Sequence, residues 1–461
     1  MLLLLTILQF IAGFGVATLF KISQKPALFL PLCLLVGIAV FSIVPFAMQL
    51  MFIPLSSFNI FLALVLVSAM LNIRYRAGMA ELGKMLKGGR FTMRLYEVPF
   101  LLVIAVIVLI SVWRCFYLPP TPRDLTSGAE VIAEYAVKEK TMVNSVFSVN
   151  LETTNNQFKP PFITCLQIIY KLAGFPFGQI WLSAVFISFI IFLYHSLNAT
   201  LHRVISGLLI IAFLAIPEMY AYTFMVLFDY CNAVFFFLAI YFLTAFFANG
   251  QINYLAFAAV MMGIATYIRN ETLILAVLVS PALFVNRLKG KRNIKAIMRD
   301  GMLFLAPAAV FYMLCVTLYL NHYLPVKYDV GNLVNRHLLT LKPLVVRFWQ
   351  MNKSLIFSAD GVGYYSYFIF FFCALFVPEL IYERNFNLQG RNWLYAILVI
   401  YIGLPLLGFL LPLMDIDNST KRGLFKIFPL MLLYMANNKM LTTLSARITA
   451  WENLQPASEV G

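Results

Sequence analysis

The sequence predicts an all-α, polytopic transmembrane protein of about thirteen spans, with short amphipathic helices in a first long outer loop. Three observations carry that expectation. Hydrophobic residues are 62% of the 461, where a globular chain has about 45–50%. Charged residues are 11%, where about 25% is usual, so a water-facing surface could not be covered. Apolar runs close to the roughly 20 residues that cross hydrocarbon recur along the whole chain. A soluble multidomain enzyme, a coiled coil, collagen and a disordered chain are excluded, and a mean hydropathy of +0.88 agrees.

The candidate spans are 2–20, 27–48, 53–73, 97–116, 178–197, 204–224, 230–248, 252–268, 271–285, 303–321, 364–382, 393–413 and 424–441. The first, in MLLLLTILQFIAGFGVATLF, lacks a basic leader and a small-residue cleavage site, and reads as a retained span. The pair 252–268 and 271–285 is short and meets at Arg269-Asn270-Glu271. It reads as a tight hairpin at the membrane surface, or as a re-entrant pair. The segments 74–96 and 286–301 each carry six Lys and Arg. Each follows an odd-numbered span, so both fall on the cytoplasmic side together. The N-terminus is then outside and the C-terminus cytoplasmic.

Two long outer loops result, 117–177 and 323–363. Both are longer than connectors need to be, and loops of that length are usually functional or disordered. The first holds DLTSGAEVIAEYAVKEK and Ile163–Leu172, whose apolar spacing predicts helices lying on the membrane surface. The organisation reads as a three-span N-terminal extension with a basic cytoplasmic loop (1–96), a catalytic transmembrane core (97–285) and a C-terminal transmembrane part (286–461). The net charge of +15 is a topology signal with attraction to anionic lipid headgroups, and does not point to nucleic acid. Six cysteines stand singly in apolar surroundings, as buried small hydrophobes do.

Charges near span ends are the informative residues, because a charge at bilayer depth is costly. Asp124 opens the first outer loop; it is an N-cap, a solvated carboxylate or a functional acid. Lys159 precedes Pro160-Pro161, either as a snorkelling lysine or as a ligand for an anion. Asp229 is the acid between spans six and seven, with Glu218 upstream. Arg269 and Glu271 form the next outer corner, where mutual pairing is the simple explanation. The last outer corner, LMDIDNSTKRGLFKIFPL, supplies Asp415, Asp417, Lys421, Arg422 and Lys426. Basic groups on an outer face oppose the usual bias, and binding a phosphate would justify them. Tyr220, Tyr222, Tyr328 and Tyr364 are sugar-stacking candidates or ordinary interface aromatics. There is no HExxH, no Walker loop, no G-x-G-x-x-G and no G-x-S-x-G, so a soluble nucleotide substrate is not expected.

The order of these features resembles the C-type superfamily of integral membrane glycosyltransferases, and within it the lipid A aminoarabinose transferase and protein O-mannosyltransferase branch. The segment Gln157-Phe158-Lys159-Pro160-Pro161-Phe162 with LQIIYKLAGFP is similar to the family's Lys-Pro-Pro segment and interfacial helix. Asp124, followed by Leu125 where the family often has Asp-Glu, resembles its first-loop acid. Asp229 resembles its second acidic position, and KRGLFKIFP its last basic segment. The match runs best from Pro122 to Leu273. Three spans preceding the one that leads into Asp124 depart from the aminoarabinose branch.

The resemblance implies inverting transfer of a sugar from a polyprenyl-phosphate donor, such as undecaprenyl phosphate, to a hydroxyl of a lipid, glycan or protein acceptor. It implies the outer face of a bacterial cytoplasmic membrane. Asp124 would be the base, with Asp229 orienting the acceptor or Asp124, or helping to hold a metal if one is used. Lys159, Arg269, Arg422 and Lys426 would hold the donor phosphate, and Glu218, Glu271, Tyr328 and Lys421 would line the substrate site. A divalent metal is compatible with these residues and not required by them. Two other readings stand beside this one: a transporter or flippase of a lipid-linked or anionic substrate, and a polysaccharide polymerase or ligase of another fold.

Overall fold

The computed structural model describes residues 1–22, 25–73, 94–120, 128–148, 159–282, 294–324, 341–357, 366–382, 388–410 and 420–454. Regular structure among the described residues is helical. Six helical stretches are long and apolar enough to cross a membrane, by length and composition. They fall at Leu2–Leu19, Pro26–Leu50, Leu95–Tyr117, Phe228–Asn249, Ile294–Tyr323 and Gly390–Gly408. These are the features of a membrane protein, and every expected span has a helical counterpart.

Several counterparts are shorter than a span. The run 204–224 divides into Arg203–Leu214 and the single turn Pro217–Ala221, since Pro217 cannot continue the helix before it. Within 271–285 the helix Thr272–Val279 ends just ahead of Pro281, which cannot donate to continue it. The run 424–441 holds the helix Ile427–Ala436 after two short turns.

In chain order, α1 is Leu2–Leu19, α2 Pro26–Leu50, α3 Ser57–Asn72 and α4 Val98–Tyr117. Then come α5 Ala129–Glu139, α6 Phe162–Leu172, α7 Trp181–Leu197, α8 Arg203–Leu214 and the turn α9 Pro217–Ala221. Next are α10 Phe228–Asn249, α11 Ile252–Ile268, α12 Thr272–Val279 and α13 Ile294–Tyr312, which runs on as a wide π-helix to Tyr323. The remainder are α14 Leu341–Phe357, α15 Ser366–Tyr382, α16 Leu388–Leu410, α17 Ile427–Ala436 and α18 Lys439–Leu454.

Close backbone approach builds the N-terminal pair. A Cβ on Gly13 would overlap the Cys33 carbonyl, and one on Gly37 would overlap the Gln9 carbonyl. Two glycines therefore face each other's helix, so α1 and α2 can touch along their backbones, which is how helices associate in lipid. Helix α2 is itself a core helix, packed against α6 and α7. Its Ser42 donates to the Phe162 carbonyl at 2.9 Å, and Tyr267 of α11 donates to the Ser42 carbonyl at 3.1 Å. From α1, the Gln9 amide donates to the Tyr170 hydroxyl at 3.0 Å, and that hydroxyl reaches the amide oxygen at 3.2 Å. We expect Tyr170→Phe to destabilise the protein by about 0.6–1.7 kcal/mol, the range for interhelical hydrogen bonds in lipid. The change should appear in the thermal unfolding midpoint in detergent.

The first long loop forms its two expected helices, with one difference. Helix α5 is amphipathic, but α6 does not lie on a surface. Phe162 through Tyr170 are all buried, because α6 is enclosed by α2, α5 and α11. One polar network clamps the two helices. Lys171 meets Glu130 at 2.5 Å and donates to the Pro176 carbonyl at 2.8 Å. Gln167 donates to Glu130 and to the Phe177 carbonyl, and accepts from the Trp181 indole at 2.8 Å. Burial pushes the Glu130 carboxyl up from its ordinary range, and Lys171 opposes that shift.

The two ends of the bundle are distinct. At one end Arg203 pairs with Glu97 at 2.5 Å, and Glu452 of α18 receives Arg94 at 2.6 Å and His202 at 3.1 Å. Helices α4 and α8 start there and run to the other end, where Ser111 shares a hydrogen bond with Thr223 at 2.8 Å. That second end holds the candidate site.

Candidate functional site

The α10–α11 hairpin supplies the base of the site. Gly250, at φ +67°, closes α10 in the left-handed conformation and turns the chain into α11. Asp229, on the first turn of α10, and Arg269, just past α11, are thereby brought to the same end. Asn232, fully enclosed, fixes the corner by donating to the Ala265 carbonyl at 2.7 Å and to Thr272 Oγ1 at 2.9 Å.

Arg269 is held by two carboxylates. Its Nη1 donates to Asp229 Oδ1, and its Nε pairs with Glu271. Asp229 is 4% exposed and Arg269 9%. The positive end of the α10 dipole adds to the stability of the Asp229 charge. Arg422, nearly two hundred residues further on, brings Nη1 to 3.7 Å from Asp229 Oδ2 and donates to the Tyr222 hydroxyl at 3.1 Å. Tyr222 packs edge-on against Phe425 at 5.0 Å, which seats the 422–426 turns on the α9 corner.

Two lysines complete the cluster. Lys426, 2% exposed, lies in the field of Arg269, Glu271 and Asp229. Lys159, half-buried ahead of its two prolines, lies in the field of Glu271, Arg269, Asp229 and Arg422. Burial pushes the Lys159 ammonium below the ordinary lysine range, and Glu271 draws it back up. Glu218 is buried and acts on Tyr222 and Arg422. The described cluster thus has four cations, Lys159, Arg269, Arg422 and Lys426, on three carboxylates, Asp229, Glu271 and Glu218. Opposite charges so close in a dry setting interact far more strongly than in water. The excess is positive, which suits an anion.

The structure therefore gathers Lys159, Glu218, Asp229, Arg269, Glu271, Arg422 and Lys426 at one place. Lys421 is buried on the same turns. Asp124 and Tyr328 lie outside the described residues, as do Asp415, Asp417 and Tyr364. Tyr220 is turned to another task, donating to the Ile107 carbonyl of α4 at 2.8 Å. Among the described residues no three His, Cys, Asp or Glu side chains converge as a metal site.

Two contributors are absent from the sequence-based set. Asn232 stands three residues after Asp229 in an apolar helix; a buried amide needs partners, and that need is a usable signal. Arg347, from α14 in the second long loop, donates to Thr420 Oγ1 at 3.1 Å and lies over Gly408 of α16, where a Cβ would overlap its guanidinium. Its neighbours in sequence give no hint of that reach. No family model, no curated protein and no solved structure matches the chain.

Proposed function

We propose that the chain is a membrane-embedded glycosyltransferase that moves a sugar from a polyprenyl-phosphate donor to an acceptor hydroxyl. The cation-rich cluster at one end of an apolar bundle is the observation that carries this reading. A lipid-linked phosphate reaches such a place through the bilayer, with its charge at the span ends and its tail in hydrocarbon. In this reading Lys159, Arg422 and Lys426 face the phosphate, while Arg269, gripped by Asp229 and Glu271, fixes their surroundings. The acceptor oxygen bonds to the anomeric carbon as the carbon–phosphate oxygen bond breaks. The bonding pair leaves with the phosphate, so negative charge grows on it, and fixed cations stabilise that growth. Asp124, by its place in the sequence, receives the acceptor proton. Asp229, paired with two arginines, serves as an electrostatic anchor rather than a base. The outer face of a bacterial cytoplasmic membrane, and a lipid, glycan or protein acceptor, belong to the same proposal.

The test is donor profiling with purified protein and a panel of polyprenyl-phosphate sugars, followed by mass spectrometry of the acceptor fraction. Asp124→Asn is expected to lower transfer by about 10²–10⁴-fold, as loss of a general base does. Lys426→Ala should lower it by about 10²–10³-fold, the scale of a lost electrostatic contact at a leaving group. Binding of a donor without any transfer, together with its movement across proteoliposomes, would instead favour a flippase.

A further inference from the structure

At the end of the bundle away from the cluster, α18 crosses from the tip of α15 to the starts of α4 and α8. Leu441, Ser445, Ile448 and Glu452 face inward along it, and Glu452 is anchored by Arg94 and His202. A stripe about a quarter turn round the helix from that face is apolar yet exposed: Met440 is 53% accessible, Leu444 47% and Trp451 63%. An amphipathic helix with an outward apolar stripe and an aromatic at its end is suited to the lipid–water boundary. Tyr382, at the tip of α15, is exposed beside it, as interfacial tyrosines are.

Between α15 and α18 is a cavity of about 330 Å³ lined by Pro378, Glu379, Tyr382, Met440, Leu444 and the cations Lys439 and Arg447, with Thr443 between them. Lys439 and Arg447 are eight residues apart, about 12 Å along a helix. Both long side chains line the one cavity. With Glu379, the lining holds two cations and one carboxylate. The Glu379 carboxylate accepts from the Tyr434 hydroxyl, from Asn438 Nδ2 at 2.8 Å and from the Lys439 backbone N–H at 3.4 Å.

We propose that this cavity binds the headgroup of an anionic phospholipid. Its phosphate lies between Lys439 and Arg447, and its acyl chains run along Met440, Leu444 and Pro378. Charge complementarity selects the anionic headgroup, and the apolar wall selects a lipid over a free phosphate. The proposal is independent of sugar transfer.

The experiment is native mass spectrometry of the full chain in non-ionic detergent. Phosphatidylglycerol, phosphatidylcholine with the same acyl chains, and inorganic phosphate are added separately. Phosphatidylglycerol should stay bound and phosphatidylcholine should not. Lys439→Ala with Arg447→Ala should weaken retention roughly 25-fold, about fivefold for each cation near a lipid headgroup, and Arg447→Lys should restore most of it. Equal retention of both lipids would overturn the proposal, as would an unchanged adduct in the folded double variant. Stabilisation by inorganic phosphate equal to that by phosphatidylglycerol would also overturn it. A second measurement needs no cation variant. Brominated phosphatidylglycerol should quench the fluorescence lost in Trp451→Phe more than brominated phosphatidylcholine does, and equal quenching would refute the site.

Discussion

Asp229→Asn is expected to lower the stability of the protein by about 3–5 kcal/mol, the cost of removing one partner from a buried ion pair. The side chain keeps its shape but loses its charge. Arg269 then retains Glu271 alone, and Arg422 loses the carboxylate 3.7 Å from its Nη1. Two guanidiniums and Lys426 would repel one another in a setting where solvent screens little. Adding Arg269→Gln should recover much of the loss, because the surplus cation is removed with its partner. The checks are the thermal midpoint in detergent and the double-mutant coupling energy. A midpoint for the single variant indistinguishable from wild type would show that the pair carries no weight. If transfer proceeds as proposed, the same substitution should lower it far less than Asp124→Asn does, because the proposed role of Asp229 is to organise cations and not to move a proton.

Gly37→Leu is the second large effect. A Cβ there already overlaps the Gln9 carbonyl, a backbone atom that cannot rotate aside. Helices α1 and α2 would have to separate, exceeding the roughly 1–3 kcal/mol of ordinary overpacking. Cys33 is fully buried in this crossing, so it reports the separation. Maleimide labelling followed by peptide mapping should find Cys33 protected in wild type and modified in Gly37→Leu. Protection in both would mean that the helices are not in backbone contact. Because α2 packs on α6 and α7, yield of folded protein should fall as well.

The helical class and the place of the apolar helices could be read from hydropathy, because lipid demands long apolar runs and closed backbone hydrogen bonding, whereas α14 and α18, with little apolar excess, could not be foreseen. What hydropathy does not encode is where such a run breaks. Pro217 and the eight-residue α12 are local backbone events inside apolar sequence. The burial of α6 was hidden for a related reason: an amphipathic pattern shows which side is polar, not whether protein or lipid covers the apolar side. In α6 the polar Gln167 and Lys171 satisfy Glu130, a residue nearly forty positions earlier. The cluster was legible because charge is rare in this chain, and each rare charge near a span end became a candidate. Arg347 was not, because it sits in a helix with Lys342 and Lys353 and nothing local separates one cation from the others.

The cluster also has an order of assembly. Its described members up to α12 are Lys159, Glu218, Asp229, Arg269 and Glu271, so when the growing chain has reached α12 the cluster itself holds three acids and two bases. Arg422 and Lys426 are synthesised about 150 residues later, and they alone reverse the sign. During biosynthesis the hairpin can enter the bilayer with its own arginine already neutralised by two carboxylates. On the proposed reading an anion is attracted only when the 422–426 turns arrive. A ribosome-bound chain halted before Arg422 would then hold only the acid-rich part of the cluster and should not retain phosphate, so that capture of an anion would mark the arrival of the last basic segment.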